Sequence, residues 1–132
     1  MSPTIPPGTS PYAMAWSVTD ARRGEIWLLD LGEPLGREQG WQRPALVVSS
    51  DEWNRHAHTM TVLPLTRTSH GSPTRIEIEP DAGNGLDEIS YARCEDIRSV
   101  SERRLMHRLG SVDALVMAAA ARTIKTFLEL GS

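Results

Sequence analysis

Apolar residues along the chain fall in short runs separated by clusters of Gly, Pro, Asn, Asp and Ser, and only the carboxy-terminal stretch carries a helical period. Gly24–Leu31 (Gly-Glu-Ile-Trp-Leu-Leu-Asp-Leu) reads as a strand bounded by Gly24 and Gly32. Gly32–Trp41 mixes glycines and a proline with charges and reads as a loop long enough to carry function. In Arg43–Ser50 the unbroken run Ala45-Leu46-Val47-Val48 predicts a buried strand, with Pro44 at its start, where a missing N–H does little harm.

Asp51–His58 is polar, a loop or a short helix. Thr59–Leu65 alternates and predicts a third strand, followed by the polar loop Thr66–Pro73. Thr74–Glu79 predicts a strand with one wet face, carrying Arg75, Glu77 and Glu79. Pro80–Gly85 is dense in turn residues. Glu88–Val100 reads as one or two short strands with Ile89, Tyr91, Ile97 and Val100 as the apolar positions. Ser101–Leu109 reads as a helical turn with Leu105, Met106 and Leu109 facing in, and Gly110 as a break. Ser111 is the expected N-cap of a terminal helix, with Leu115, Ala118, Ala119, Arg122, Thr123 and Phe127 at helical spacing and Gly131 at its end. Short, closely spaced strands followed by one helix predict a mainly β fold, a small barrel or strongly curved sheet with a carboxy-terminal α-helix.

Length and composition narrow the class. A chain of 132 residues fits one domain, expected over residues 21–132. Residues 1–20, with Pro3, Pro6, Pro7, Gly8 and Pro11, are expected to form a flexible tail. That stretch has no charged segment leading into an apolar one, so no secretory signal is expected. Ser111–Leu130 is the longest apolar stretch, but Asp113, Arg122 and Lys125 argue against a membrane span. The lone Cys94 rules out an intrachain disulfide, and a cytoplasmic location is expected.

The net charge of −3 argues against a generally basic nucleic-acid coat, yet leaves room for a local basic groove. Every basic residue but Lys125 is Arg, which fits either phosphate recognition by the guanidinium fork or a codon bias. Phosphate-binding glycine loops, HExxH and CxxC are absent. His56 and His58 form a His-x-His pair with no carboxylate–His cluster to complete a metal site, so neither metal nor cofactor is expected. Arg43, between a polar loop and a buried strand, has its head at the mouth of the fold, or merely caps the strand and pairs with Glu38. Trp41, beside Arg43, is an expected stacking platform for unpaired bases; Trp53 is either a second platform or packing, and Trp27 is core.

Gly24-Glu-Ile-Trp with Asp30, then Gly36-Arg-Glu-Gln-Gly and Gln42-Arg-Pro-Ala-Leu-Val-Val-Ser, stand in that order. Val62-Leu-Pro-Leu-Thr, Gly85-Leu-Asp and Glu95-Asp-Ile-Arg-Ser-Val follow. This ordered set resembles the MazF/PemK/Kid toxins of type II toxin–antitoxin systems, over Arg23 to Leu130. The resemblance implies an SH3-like barrel with a carboxy-terminal helix, a homodimer, metal-independent cleavage of single-stranded RNA, and a cognate antitoxin. It carries over Arg43 and Thr66 as catalytic positions and Glu38 as a position important in some members; Arg37, Gln39, Trp41, Trp53 and Arg67, in and beside the polar loops, are expected to bind the RNA. Several members have Ser where this chain has Arg37, so no hydroxyl acts from that position. A gyrase poison on the same fold and a non-catalytic SH3-like interaction module are the rival readings.

The residue types suit RNA cleavage by its own 2′-hydroxyl, which needs orientation, a proton acceptor, and stabilisation of a negative phosphorane. Arg43 would stabilise the phosphorane, Thr66 would hydrogen-bond a non-bridging oxygen, and Glu38, His56 or His58 would accept the proton.

Overall fold

The computed structural model describes residues 20–32 and 41–131, and of Trp41 the backbone only. The head 1–19, the segment 33–40 with Arg37, Glu38 and Gln39, and Ser132 lie outside the described residues. In chain order the elements are β1 (Glu25–Gly32), β2 (Trp41–Val47), α1 (Asp51–Ala57), β3 (Thr59–Thr66), β4 (Arg75–Ile78), β5 (Ser90–Arg93), β6 (Arg98–Ser101), β7 (Leu105–Ser111) and α2 (Ala114–Phe127). Short 3₁₀ turns, Cys94–Asp96 and Glu102–Arg104, flank β6.

The strands pair antiparallel in the order β4-β5-β3-β2-β1-β7, with β6 also on β3. β3 lies against β6 up to Val62↔Arg98 and against β5 from Leu65↔Ala92. Pro64, which has no N–H to give, stands in the gap where the partner changes. Irregular registers on both sides of β1 bend the sheet. The sheet nevertheless does not close: among the described residues β4 pairs only with β5, and β7 only with β1. The far edge of β7 is covered by a loop, with the Ser111 N–H donating to the Gly83 carbonyl at 2.9 Å. What stands is a mainly antiparallel β-sheet with a carboxy-terminal helix; the closed SH3-like barrel of the sequence reading is not seen in the pairing.

Period-2 alternation divides the core between the two faces of the sheet. Trp27, Leu29, Ala45, Val47, Met60, Val62, Val100 and Leu105 pack inside the curl. Ile26, Leu46, Leu63, Leu65, Ile78, Ala92 and Cys94 pack beneath α2. The unbroken run of β2 is thus explained, because its residues are buried on both sides.

Five local expectations are corrected. Ser101–Leu109 holds one helical turn, the 3₁₀ turn Glu102–Arg104, with Leu105 buried and Leu109 packed on the core as expected; from Leu105 on, however, the segment is β7, and Met106 is exposed. Gly110 does not break the chain but pairs with Ile26 inside β7. The N-cap of α2 is Asp113, whose carboxylate accepts the Val116 N–H at 2.9 Å, and not Ser111. The buried stripe of α2 is Val116, Met117, Ala120 and Ile124, while Leu115 projects into solvent. In β5 the inward positions are Ser90 and Ala92, with Cys94 following in the 3₁₀ turn, one residue out of step with Ile89 and Tyr91; these small side chains lie on the face of the sheet that packs with α2.

Candidate active site

The strand registers draw a single row of residues across the sheet. Leu105 pairs with Leu29, and Leu29 with Arg43. Thr66 pairs with Tyr91, and Tyr91 with Glu77. Carrying the β2–β3 register two residues past Ala45↔Pro64 sets Arg43 opposite Thr66 and on the same face. Two residues along β4 and β5, Arg75 pairs with Arg93. One face of this end of the sheet therefore presents Arg43, Thr66, Tyr91, Glu77, Arg93 and Arg75, while Leu65, Ala92, Ile76 and Ile78 alternate to the apolar side.

Arg43 is half-buried and Thr66 buried. The Thr66 Oγ1 accepts the Thr68 N–H at 3.4 Å and lies 3.3 Å from the Thr68 hydroxyl. Arg67, next along the chain, is exposed and paired with an equally exposed Glu88 at 3.1 Å. A pair in that setting is weak and readily exchanged for a phosphate. Trp41 opens β2 opposite Gly32, next to the segment that carries Arg37, Glu38 and Gln39.

Other candidates are not brought to this row. Trp53 is half-exposed on α1, which joins the opposite ends of β2 and β3. His56 is exposed on the same helix. His58, its C-cap, is engaged by the Glu102 carboxylate at 3.2 Å. The proton-acceptor role open to His56 and His58 in the sequence therefore finds no support in their position.

The sequence reading missed a cluster at the edge of the same face. Thr74 Oγ1 donates to Glu95 Oε1 at 2.9 Å, and the Nε of Arg75 to Glu95 Oε2 at 3.1 Å. The Nε of Arg93 reaches the same oxygen at 3.4 Å. Burial alone would raise the Glu95 pKa. Its own backbone N–H, Thr74 and Arg75 outweigh that and hold the carboxyl below its ordinary value. A depressed pKa contributes stability that is present above the unfolded value and is lost as pH falls through the folded one. Wild type is expected to lose more stability than Glu95→Gln on acidification below about pH 4. Urea unfolding across that range checks this, and parallel slopes would count against the cluster. The neighbouring Cys94 is fully buried, and burial, then the charge of Glu95, push its thiol up to about 11. Thiolate chemistry is thereby ruled out at this position.

Among the described residues no three His, Cys, Asp or Glu side chains converge to hold one metal ion. No described helix is long and apolar enough to cross a membrane.

Residues 22–128 match the family model of the PemK-like, MazF-like toxin of type II toxin–antitoxin systems. The endoribonuclease MazF9 of Mycobacterium tuberculosis is 36% identical over 117 residues, covering 84% of this chain and 98% of that protein. The crystal structure of MazF from Deinococcus radiodurans superposes with a TM-score of 0.70 at 26% identity, over 83% of this chain and 97% of the other. A mycobacterial endoribonuclease solved in complex with its cognate antitoxin gives 0.67 at 26% identity, over 86% and 97%. The length of the matches and the agreement of fold leave one assignment: the chain belongs to the PemK-like, MazF-like family of type II toxins.

Proposed function

We propose that the chain is the toxin of a type II toxin–antitoxin pair, a metal-independent endoribonuclease that cuts single-stranded RNA at short sequences. Cleavage of messenger, transfer or ribosomal RNA would stop translation and growth. The observation that carries this reading is that Arg43 and Thr66 lie on neighbouring antiparallel strands at the same end of the sheet, with the exposed Arg67 next along the chain. Arg43 and Arg67, beside polar loops, suit a phosphodiester backbone, and their planar forks suit phosphate oxygens.

In the proposed reaction the RNA 2′-hydroxyl attacks the adjacent phosphorus to close a 2′,3′-cyclic phosphate, the P–O5′ bond breaks, and the leaving 5′-oxygen takes up a proton from water or by way of the Arg43 guanidinium to become a 5′-hydroxyl. The Arg43 guanidinium stabilises the charge that builds on the phosphorane. Thr66 donates to a non-bridging oxygen. Glu38, on the segment leading into β2, accepts the 2′-hydroxyl proton. Arg37, Gln39, Trp41 and Arg67 hold the flanking nucleotides, the aromatic ring by stacking. Trp53, at the other end of the ladder, meets RNA only on a longer path, one that a second copy of the chain would provide. A homodimer is therefore part of the proposal. The partner antitoxin would lay an acidic segment over the same arginines, as a competitor of RNA.

Purified protein is expected to cut single-stranded RNA in EDTA and to leave DNA of the same sequence intact. Activity lost in EDTA and restored by one particular metal would defeat the mechanism. Inhibition of gyrase without RNA cleavage would favour the rival toxin.

A further inference from the structure

We infer that Arg75 is a positioning residue for the Thr66 hydroxyl, acting as a strut between the Glu95 carboxylate and the turn that follows β3. The inference rests on the proposed role of Thr66. The Arg75 side chain is only 13% exposed and is held at both ends. Its Nε donates to Glu95 Oε2 at 3.1 Å, and its Nη1 donates to the Thr68 carbonyl at 2.6 Å. Neither anchor is loose. Glu95 is fixed from its other oxygen by Thr74, whose carbonyl accepts the Cys94 N–H at 2.9 Å. Thr68 turns its N–H back on Thr66 Oγ1.

Holding Thr68 therefore holds the groups that set the direction of the Thr66 hydroxyl. The Thr68 N–H fills one lone pair of Thr66 Oγ1 and the Thr68 hydroxyl lies 3.3 Å away, so the position of Thr68 sets which way the Thr66 proton points. A fork is needed for the span, because one flat guanidinium serves two acceptors on opposite sides, which an ammonium at the same position does not. Without the strut the turn from Arg67 to Pro73 is left, among the described residues, with local hydrogen bonds such as Ser72 with Ser69 and Thr74 and with the exposed Arg67–Glu88 pair, and Thr66 loses its fixed neighbour.

The test is a double-mutant cycle on cleavage of a single-stranded RNA oligonucleotide, with Arg75→Lys and Arg75→Gln each made in the wild-type and Thr66→Ala backgrounds. Arg75→Lys retains a charge beside Glu95, and thermal unfolding of each variant identifies the folded ones. Both substitutions are expected to lower kcat about tenfold with KM within about twofold, since misplacing a reacting group by an ångström costs up to about 10²-fold. In the Thr66→Ala background neither is expected to lower kcat further. Amide exchange at Thr68 is expected to speed up in both.

Full kcat in folded Arg75 variants overturns the strut. So does an equal proportional loss in both backgrounds, which is what general destabilisation produces. If Thr66→Ala itself cleaves at the wild-type rate, the role of Thr66 falls and the strut falls with it. Loss of activity in Thr66→Ala alone, with Arg75 variants unaffected, removes the strut and leaves the proposed reaction standing.

Discussion

Arg43→Ala is expected to cut RNA about 10²–10³ times more slowly than wild type, the effect of removing one donor from a developing oxyanion, or about 2.7–4 kcal/mol. The melting temperature should change little. Arg43 stands half-buried at the start of β2, with Leu29 beside it in the ladder, and the core of that strand begins two residues later at Ala45. Arg43→Lys should recover only part of the rate, because a point charge does not replace a planar fork. Single-turnover cleavage and thermal unfolding of the same preparations separate the outcomes. A normal rate in Arg43→Ala removes the residue from the site, and an unfolded variant reduces it to a structural role.

Gly110→Ala is expected to be the most damaging small substitution in the fold. A Cβ at Gly110 would overlap the Gly83 carbonyl oxygen and the Asn84 backbone, so no side chain can swing aside to admit it. The opposing loop cannot retreat. Buried Asn84 donates to the Glu79 carbonyl at 2.8 Å and accepts the Leu86 N–H at 3.0 Å, while Asp81 accepts the N–H groups of Gly83 and Asn84, both at 2.8 Å. Gly85, at φ +73°, meets the Leu109 backbone in the same way from the other side. Overpacking typically costs about 1–3 kcal/mol, and against fixed backbone the upper end, about 3 kcal/mol or more, is expected. Gly83→Ala is the control, since its Cβ would make only an ordinary contact at 3.6 Å with Asp81 Oδ1. Urea unfolding of both variants checks the difference, and similar midpoints would show that the loop yields.

That loop also marks where the sequence stopped being legible. β1, β2 and β3 were readable because runs such as Ala45-Leu46-Val47 have no use outside a buried strand. β7 was not. Leu105, Met106 and Leu109 have the spacing of one helical turn, whereas the strand leaves Met106, His107 and Arg108 exposed in succession and shows no alternation. Helix α2 was visible as a helix, but its alanines gave no hint of which side faces the sheet, and the stripe lies on Val116, Met117, Ala120 and Ile124.

The candidate site divides along the same line. Arg43 and Thr66 could be picked out from their blocks, each lying at the end of a recognisable strand. Their neighbours Tyr91, Arg93, Arg75 and Glu95 could not, because they meet through the β3–β5 and β4–β5 pairings, which local patterns do not record. The wet face expected of Thr74–Glu79 was the one trace of them. It holds Arg75 and Glu77, but in the partner strand the apolar Ile89 and Tyr91 point to the face opposite the one that Ser90 and Ala92 bury.

The central claim is cleavage by the RNA's own 2′-hydroxyl, and mass spectrometry of the product ends tests it most directly. A single-stranded RNA digested in EDTA is expected to yield fragments ending in a 2′,3′-cyclic phosphate, or its hydrolysed form, each followed by a fragment beginning with a 5′-hydroxyl. The same RNA with 2′-deoxyribose at the cut nucleotide is expected to stay whole. Fragments beginning with a 5′-phosphate, or undiminished cutting of the deoxy-substituted strand, would contradict the account.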